Sequence, residues 1–179
     1  DVIHSKIIKC VELDKVFRTG PNSGITFNAN RILRGQDLSK TDPVTGEDFS
    51  DFFVVPRPSD LNTLDSIVRW VSDSIPKKRG LDPVRDIQVM SPGKKGVTGT
   101  INLNRVLRDV LNKSGSPGLH GFRIGDKVLN KTNFKKHNIV NGDIGFIKEV
   151  VRGQSGSHLV IDFGKCSGPD RNGIVNLPE

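Results

Sequence analysis

Three stretches carry residue types that could meet an anion. The first is Ser91-Pro92-Gly93-Lys94-Lys95-Gly96-Val97-Thr98-Gly99-Thr100. Its glycines allow a backbone to approach a phosphate closely, Lys94 and Lys95 supply charge, and a helix that follows would aim N–H groups and the positive end of its dipole at the same place. Thr98 and Thr100 offer hydroxyl donors or a helix cap. It is not a Walker A loop, because Gly93-Lys94 is followed by Lys95 where Ser or Thr is required, and the glycine spacing is wrong. The competing reading is a Gly-rich turn with solvated lysines. The second stretch lies within FRIGDKVLNKTNFKKHNIVNGDIGFIKEV at 122–150, where Lys131, Asn133, Lys135 and Lys136 surround Phe134. The third is Arg18, beside Phe17 and before Pro21, placed to project from a strand edge toward a phosphate; alone, it reads as a surface arginine.

Charge supports a polyanionic partner. The chain of 179 residues has net charge +7, and residues 76–179 hold 18 Lys+Arg against 9 Asp+Glu, whereas residues 1–75 hold 9 against 11. A basic half of that kind favours nucleic acid, although soluble proteins that bind none can share it. Cys10 and Cys166 are far apart, so neither a CxxC redox pair nor a zinc site is spelled out. His4, His120, His137 and His158 lack ligand spacing, and no structural metal is expected. No signal peptide is evident and no apolar run reaches about 18 residues, so no membrane association and a cytoplasmic location are the default expectations.

The elements that position these residues follow from hydrophobic period. Ile7, Ile8, Val11 and Leu13 predict a strand over 7–13. Ile25, Ala29, Ile32 and Leu33 fall on one helical stripe, with Ser23 as N-cap and Gly35 beyond the end. Residues 36–50 read as a polar loop. Phe52 to Val55 predict a strand buried on both faces and closed by Pro56. Leu64, Ile67, Val68, Val71 and Ile75 predict a helix up to Pro76, with Trp70 as packing. Asp86 to Met90 predict a third strand. Leu103, Val106, Leu107, Val110 and Leu111 share a helix face. Such alternation predicts an α/β domain with a mostly parallel sheet, whose ligands bind beyond the carboxyl ends of the strands. Residues 113–121 are rich in Gly, Ser and Pro and read as a hinge. Beyond them, short strands near 126–130, 144–150, 158–163 and 173–177 predict a small antiparallel barrel or sandwich, with the pairs Gly125-Asp126 and Asn141-Gly142 marking tight turns.

A resemblance adds to these readings. ELDKVFRTGPNSGITFNANRILRGQ, through Leu13, Phe17, Arg18, Ser23, Ile25, Asn28, Ala29 and Gly35, resembles a helicase motif of RecD-like superfamily 1 DNA helicases. DFFVV at 51–55, DIQVMSPGKKGVTGTINLNRVLRDVLN at 86–112 and FRIGDKVLNKTNF…IVNGDIGFI at 122–147 are similar to further blocks in that family's order. Thr19 departs from the usual Gln, and Asn130 stands where Gln is common. The resemblance implies part of a second RecA-like lobe over residues 1–120 and an inserted SH3-like β-barrel over 121–179. It implies that Arg18 reaches the ATP γ-phosphate as an arginine finger, and that Ser91, Lys94, Lys95, Thr98 and Asn104 lie near single-stranded DNA. The expected partners are single-stranded DNA or duplex junctions, the first RecA-like lobe of the same polypeptide, and other recombination or repair subunits. ATP and Mg would serve the full-length parent. With no Walker A sequence and no convincing Walker B acid pair, this segment alone is expected to bind neither and to be inactive. The opening DVIHSKI resembles the link from a first lobe, so a piece of a longer protein is expected.

Two other classes compete. One is a nonenzymatic nucleic-acid-binding module with a basic β-barrel; the other is a protein-interaction element whose lysines are merely solvated.

Overall fold

The computed structural model describes Val11, Gly20 and residues 22–134, 137–153, 156–164 and 174–178. The chain forms two compact units, Asp1–Pro56 and Arg57–Glu179. Of the expected strand at 7–13, all but Val11 lies outside the described residues.

In the first unit, helix α1 spans Gly24–Leu33 and starts after Ser23 as the sequence predicts. Ser23 does not cap it with its own side chain. Its hydroxyl donates to Asp51 Oδ2, and Asp51 Oδ1 accepts the Gly24 N–H at 2.9 Å, so a carboxylate from the loop's far end stabilises the first turn. The packed face also differs from the predicted one. Gly24 and Asn28 are buried, while Ile25, Ile32 and Leu33 are exposed, Leu33 at 85%. Asn28 explains this: its amide donates to the Gly24 and Ser39 carbonyls, both at 2.9 Å, and accepts the Ser39 N–H at 2.7 Å. A polar side chain that satisfies loop backbone groups is buried at little cost, and it draws the 36–50 loop onto this side of the helix. Phe27 and Phe49 complete the contact with ring centroids 5.4 Å apart.

Phe52 to Val55 do not form the expected doubly buried strand. They have no ladder partner among the described residues; Phe52 and Val54 are half-buried, whereas Phe53 is 67% exposed. The alternation is that of an extended chain covered on one side.

In the second unit, α2 (Asp60–Arg69), a π turn (Trp70–Ser74) and α3 (Ile75–Arg79) run on as one helix. Ser59 caps it by accepting the Asn62 N–H at 3.2 Å. Hydrophobic spacing predicts an end at Pro76, yet the helix continues past that residue. Proline lacks the N–H that an α-turn uses and its ring crowds the carbonyl four residues back; the π turn just before it relaxes both demands. Asp86 to Met90 are likewise not a strand. Asp82 Oδ1 accepts the Val84 and Arg85 N–H groups, both at 2.8 Å, and this local bonding turns the chain at 83–86. With neither 52–55 nor 86–90 paired, the described residues contain no parallel sheet, and the expected α/β arrangement is absent from them. Helix α4, Thr100–Leu111, forms as predicted, with Leu103 buried and Val106, Leu107 and Leu111 half-buried.

The sheet has four antiparallel strands in sequence order: β1 Lys127–Leu129, β2 Ile144–Gly153, β3 Gly156–Asp162 and β4 Ile174–Pro178. Ile147, Leu159 and Ile161 form its core, with Leu119, Val128, Val150 and Phe163 packed around them. This small antiparallel sheet with attached helices is consistent with an SH3-like region. Asn141-Gly142 makes a turn, with Gly142 at φ +98° and the Asp143 N–H reaching Val140 O at 3.2 Å. That turn closes the longer 130–143 loop between β1 and β2, instead of forming a tight hairpin by itself.

Buried Asp126 joins α4 to the sheet. Its carboxylate accepts Asn112 Nδ2 at 2.7 Å and the Arg123 N–H at 2.8 Å, with Arg108 Nη1 at 4.0 Å. Arg108 Nη1 donates to Gly121 O at 2.7 Å, and Arg123 returns to Asp109 at 2.9 Å and to the Asn112 carbonyl at 3.2 Å. Residues 113–121, read as a hinge, are therefore bridged on both sides. Asp126→Ala leaves several of these groups without an acceptor and is expected to lower unfolding free energy by about 2–4 kcal/mol, measured by urea denaturation.

Candidate nucleic-acid interface

The 91–100 loop folds back over the first turn of α4. The Thr100 N–H donates to Gly93 O at 2.9 Å and the Ile101 N–H to Lys94 O at 3.2 Å. Asn102 Nδ2 adds a bond to Val97 O at 2.8 Å. The loop's own carbonyls thus take N–H groups that the sequence reading directs at a phosphate. Gly99 is buried for a related reason: a Cβ there would overlap the Lys95 carbonyl, so the close approach it permits is to the loop backbone. What remains for an anion is side-chain charge. Lys94 and Lys95 are exposed and, with Gly96, Val97, Ile101 and Asn102, line a shallow groove whose apolar side includes 66%-exposed Ile101. Ser91 Oγ is engaged with Gly93 at 3.3 Å. Thr98 is half-buried, and Asn104 is exposed one turn into α4.

The 130–143 loop is organised by Asn130, which is buried. Its amide donates to Val140 O at 2.8 Å and to Thr132 O, its N–H donates to Asp143 O at 2.8 Å, and its carbonyl accepts the Gly142 N–H at 2.8 Å. Ile139, 1% exposed, anchors the loop against Phe134 and Phe163. Lys131 and Asn133 are exposed on it, and Asn133 Oδ1 accepts the Asn141 N–H at 2.8 Å. Lys135, Lys136 and Arg18 lie outside the described residues. Of the predicted residues, Lys94 and Lys95 share one groove, whereas Lys131 and Asn133 belong to the barrel loop.

A third feature goes unread in the sequence. On the sheet's outer face Lys127 and Phe146 stand opposite each other in the β1–β2 register. The 82–87 segment lies over them: Arg85 stacks on the Phe146 ring, 4.8 Å from its centroid, and Lys127 Nζ donates to Ile87 O at 3.0 Å and to Arg85 O at 3.5 Å. Burial holds the Lys127 ammonium below its usual range, against the opposing pull of Asp86 and Asp82. No sequence period announces an arginine on an aromatic ring so distant in the chain. Half-buried Trp70 is likewise covered by an arginine, Arg57, 5.0 Å from the ring centroid, here within the sequence-local helix region. Among the described residues no group of His, Cys, Asp or Glu could hold a metal ion, and no helix is long and apolar enough to cross a membrane.

Set beside known families, residues 103–163 match the ATP-dependent RecD-like DNA helicase SH3 domain. The matched stretch runs from Leu103 in α4 through the Asp126 network to Phe163 after β3. By fold, then, this part of the chain is a small antiparallel sheet with attached helices, consistent with an SH3-like region. By sequence it is similar to the SH3 domain of ATP-dependent RecD-like DNA helicases, which relates it to helicase-associated segments.

Two carboxylates beside the outer face make stability sensitive to acid. Asp82 is held below its usual 3.8 mainly by the Arg85 and Val84 N–H groups. Asp162 is held below it mainly by the Gly164 N–H, with help from Lys148. Their folded values are depressed, so the stability they contribute is present above pH 3.8 and is lost as pH falls through the folded values. Lys127 acts at the other end: its value is also depressed, so stability rises as pH climbs toward 10.5. Asp82→Asn is expected to lower the urea midpoint at about pH 6, with the gap to the parent closing at about pH 2.5.

Proposed function

We propose that this chain is a segment of a RecD-like, ATP-dependent DNA helicase, in which ATP hydrolysis drives translocation on single-stranded DNA and duplex unwinding. The observation that carries this reading is the match of residues 103–163 to the helicase SH3 domain, on a sheet of the corresponding kind. In the parent, the remainder of the chain contributes to a second RecA-like lobe that works against a first lobe. Arg18 stabilises charge on the γ-phosphate of ATP, which with Mg supplies the free energy of stepping. Lys94 and Lys95 hold the phosphate backbone of the strand, while Ser91, Thr98 and Asn104 lie along it. Lys131, Asn133, Lys135 and Lys136 guide the strand at the barrel.

Because the Thr100 and Ile101 N–H groups at the start of α4 are taken by loop carbonyls, binding at the 91–100 loop rests mainly on ammonium groups and is sequence-tolerant and salt-sensitive. The slope of log K against log salt for single-stranded DNA, by fluorescence anisotropy, is expected to fall by about 1.4 in Lys94→Ala/Lys95→Ala, about 0.7 for each phosphate that is no longer neutralised. An unchanged slope removes these lysines from the interface. For the motor, Arg18→Ala in the parent helicase is expected to lower DNA-stimulated ATP turnover by about 10³-fold or more. Undiminished turnover would leave the nonenzymatic nucleic-acid-binding reading as the better one.

A further inference from the structure

We infer that the outer face of the β1–β2 pair is a second contact site for single-stranded nucleic acid, with Phe146 as the stacking ring and Lys127 as the phosphate ligand, and that the 82–87 segment is a strap covering it. The inference rests on the proposed nucleic-acid partner and assigns a site that lies apart from Lys94 and Lys95.

On the face itself Phe146 stands between Lys127 of β1 and Asp162 of β3, whose carboxylate is paired with Lys148 at 3.3 Å. Lys127 and Phe146 are direct cross-strand partners, and the next pair on the same face is Leu129 with Ile144. Leu129 is 57% and Ile144 39% exposed, so the strap leaves this end of the face uncovered. Aromatic rings on the open face of a small sheet, bordered by cations, are a recurrent platform for unstacked bases.

What occupies the face now has the chemistry of a nucleotide. Over the Phe146 ring lies a flat, delocalised group, the Arg85 guanidinium, at 4.8 Å. Around the Lys127 ammonium stand oxygen acceptors, the carbonyls of Ile87 at 3.0 Å and Arg85 at 3.5 Å, together with the charges of Asp86 and Asp82. A ring and an ammonium that take a planar group and anionic oxygen from one peptide can take a base and a phosphate from one nucleotide. A chain whose net charge is +7 favours the nucleotide over an acidic peptide as the competing ligand. The strap is held mostly by its own local turn, with Asp82 bonded to Val84 and Arg85 and its N–H bonded to Asp86 at 2.8 Å. It can therefore lift as a preformed unit without unravelling the sheet.

Arg85→Ala separates this from general electrostatics. Losing a positive charge weakens binding to DNA if charge alone decides, whereas uncovering Phe146 strengthens it. Binding of the whole chain to a fluorescein-labelled oligothymidylate of about 15 nucleotides, followed by anisotropy, is expected to tighten about fivefold in Arg85→Ala. The gain is expected to vanish in Arg85→Ala/Phe146→Leu, with urea midpoints showing that both variants are folded; Arg85→Gln serves as the second uncovering variant should Arg85→Ala not fold. Equal or weaker binding by the folded uncovering variant overturns the inference, as does a gain that survives Phe146→Leu. Binding of a strap peptide in trans without any gain for DNA also overturns it and makes the face a peptide site. If the parent binds DNA through Lys94 and Lys95 while Arg85 variants change nothing, only this inference fails; if no variant binds, the proposed nucleic-acid role fails with it.

Discussion

The second unit depends on one buried carboxylate. Asp126 sits at the entry to β1, where its side chain fixes the backbone at Arg123 and the Asn112 amide at the end of α4. Its backbone carbonyl meanwhile accepts the Ile147 N–H at 3.0 Å, tying the same residue to β2. A four-stranded sheet whose first strand is as short as Lys127–Leu129 has little core of its own. Through Asp126 it is tied by polar bonds to the end of α4, which gives the helix a fixed direction. The 91–100 loop is bonded to the start of that helix and the sheet to its end.

The 91–100 loop shows what a glycine-rich turn before a helix does with that helix's first N–H groups. Glycines, lysines and a helix start occur in the predicted order, yet the N–H groups at that start are bonded to Gly93 and Lys94. Unpaired N–H groups at a helix end need partners, and a flexible glycine loop supplies its own carbonyls before any ligand arrives. The loop therefore presents exposed ammonium groups, with backbone N–H groups at the helix start taken up by its own carbonyls.

Legibility in the sequence follows the range of the forces involved. Helices α1 and α4 and the four β-strands are readable because period, caps and turns act within a few residues. The segments 52–55 and 86–90 mislead because short apolar runs acquire strand structure only from a neighbour, and the described residues provide none. The buried side of α1 escapes hydrophobic spacing because Asn28 and Asp51 bond across the 36–50 loop, and spacing cannot register such polar bonds. Pro76 reads as a stop because the π turn that accommodates it has no reliable sequence mark. Among the site residues, the exposure of Lys94, Lys95 and Lys131 is what a lysine in a turn suggests, whereas the Arg85–Phe146 stack joins separate segments and leaves no trace.

The match to the helicase SH3 domain begins at Leu103, but the structure that supports this region begins earlier. Lys127 and Phe146, both inside the matched stretch, are covered by Arg85 and by the carbonyls of Arg85 and Ile87, outside it. A residue in the position of Lys127 can be buried only if oxygen acceptors replace its water, and here those acceptors come from the preceding segment. Sheet, α4 and strap all lie within the compact body that runs from Arg57 onward. A piece cut at the start of the family match would expose the Phe146 ring and leave the Lys127 ammonium without the carbonyls that receive it. Any ligand tested on such a piece would meet a face that the longer chain keeps covered, so binding by this region has to be measured with the 82–87 segment in place.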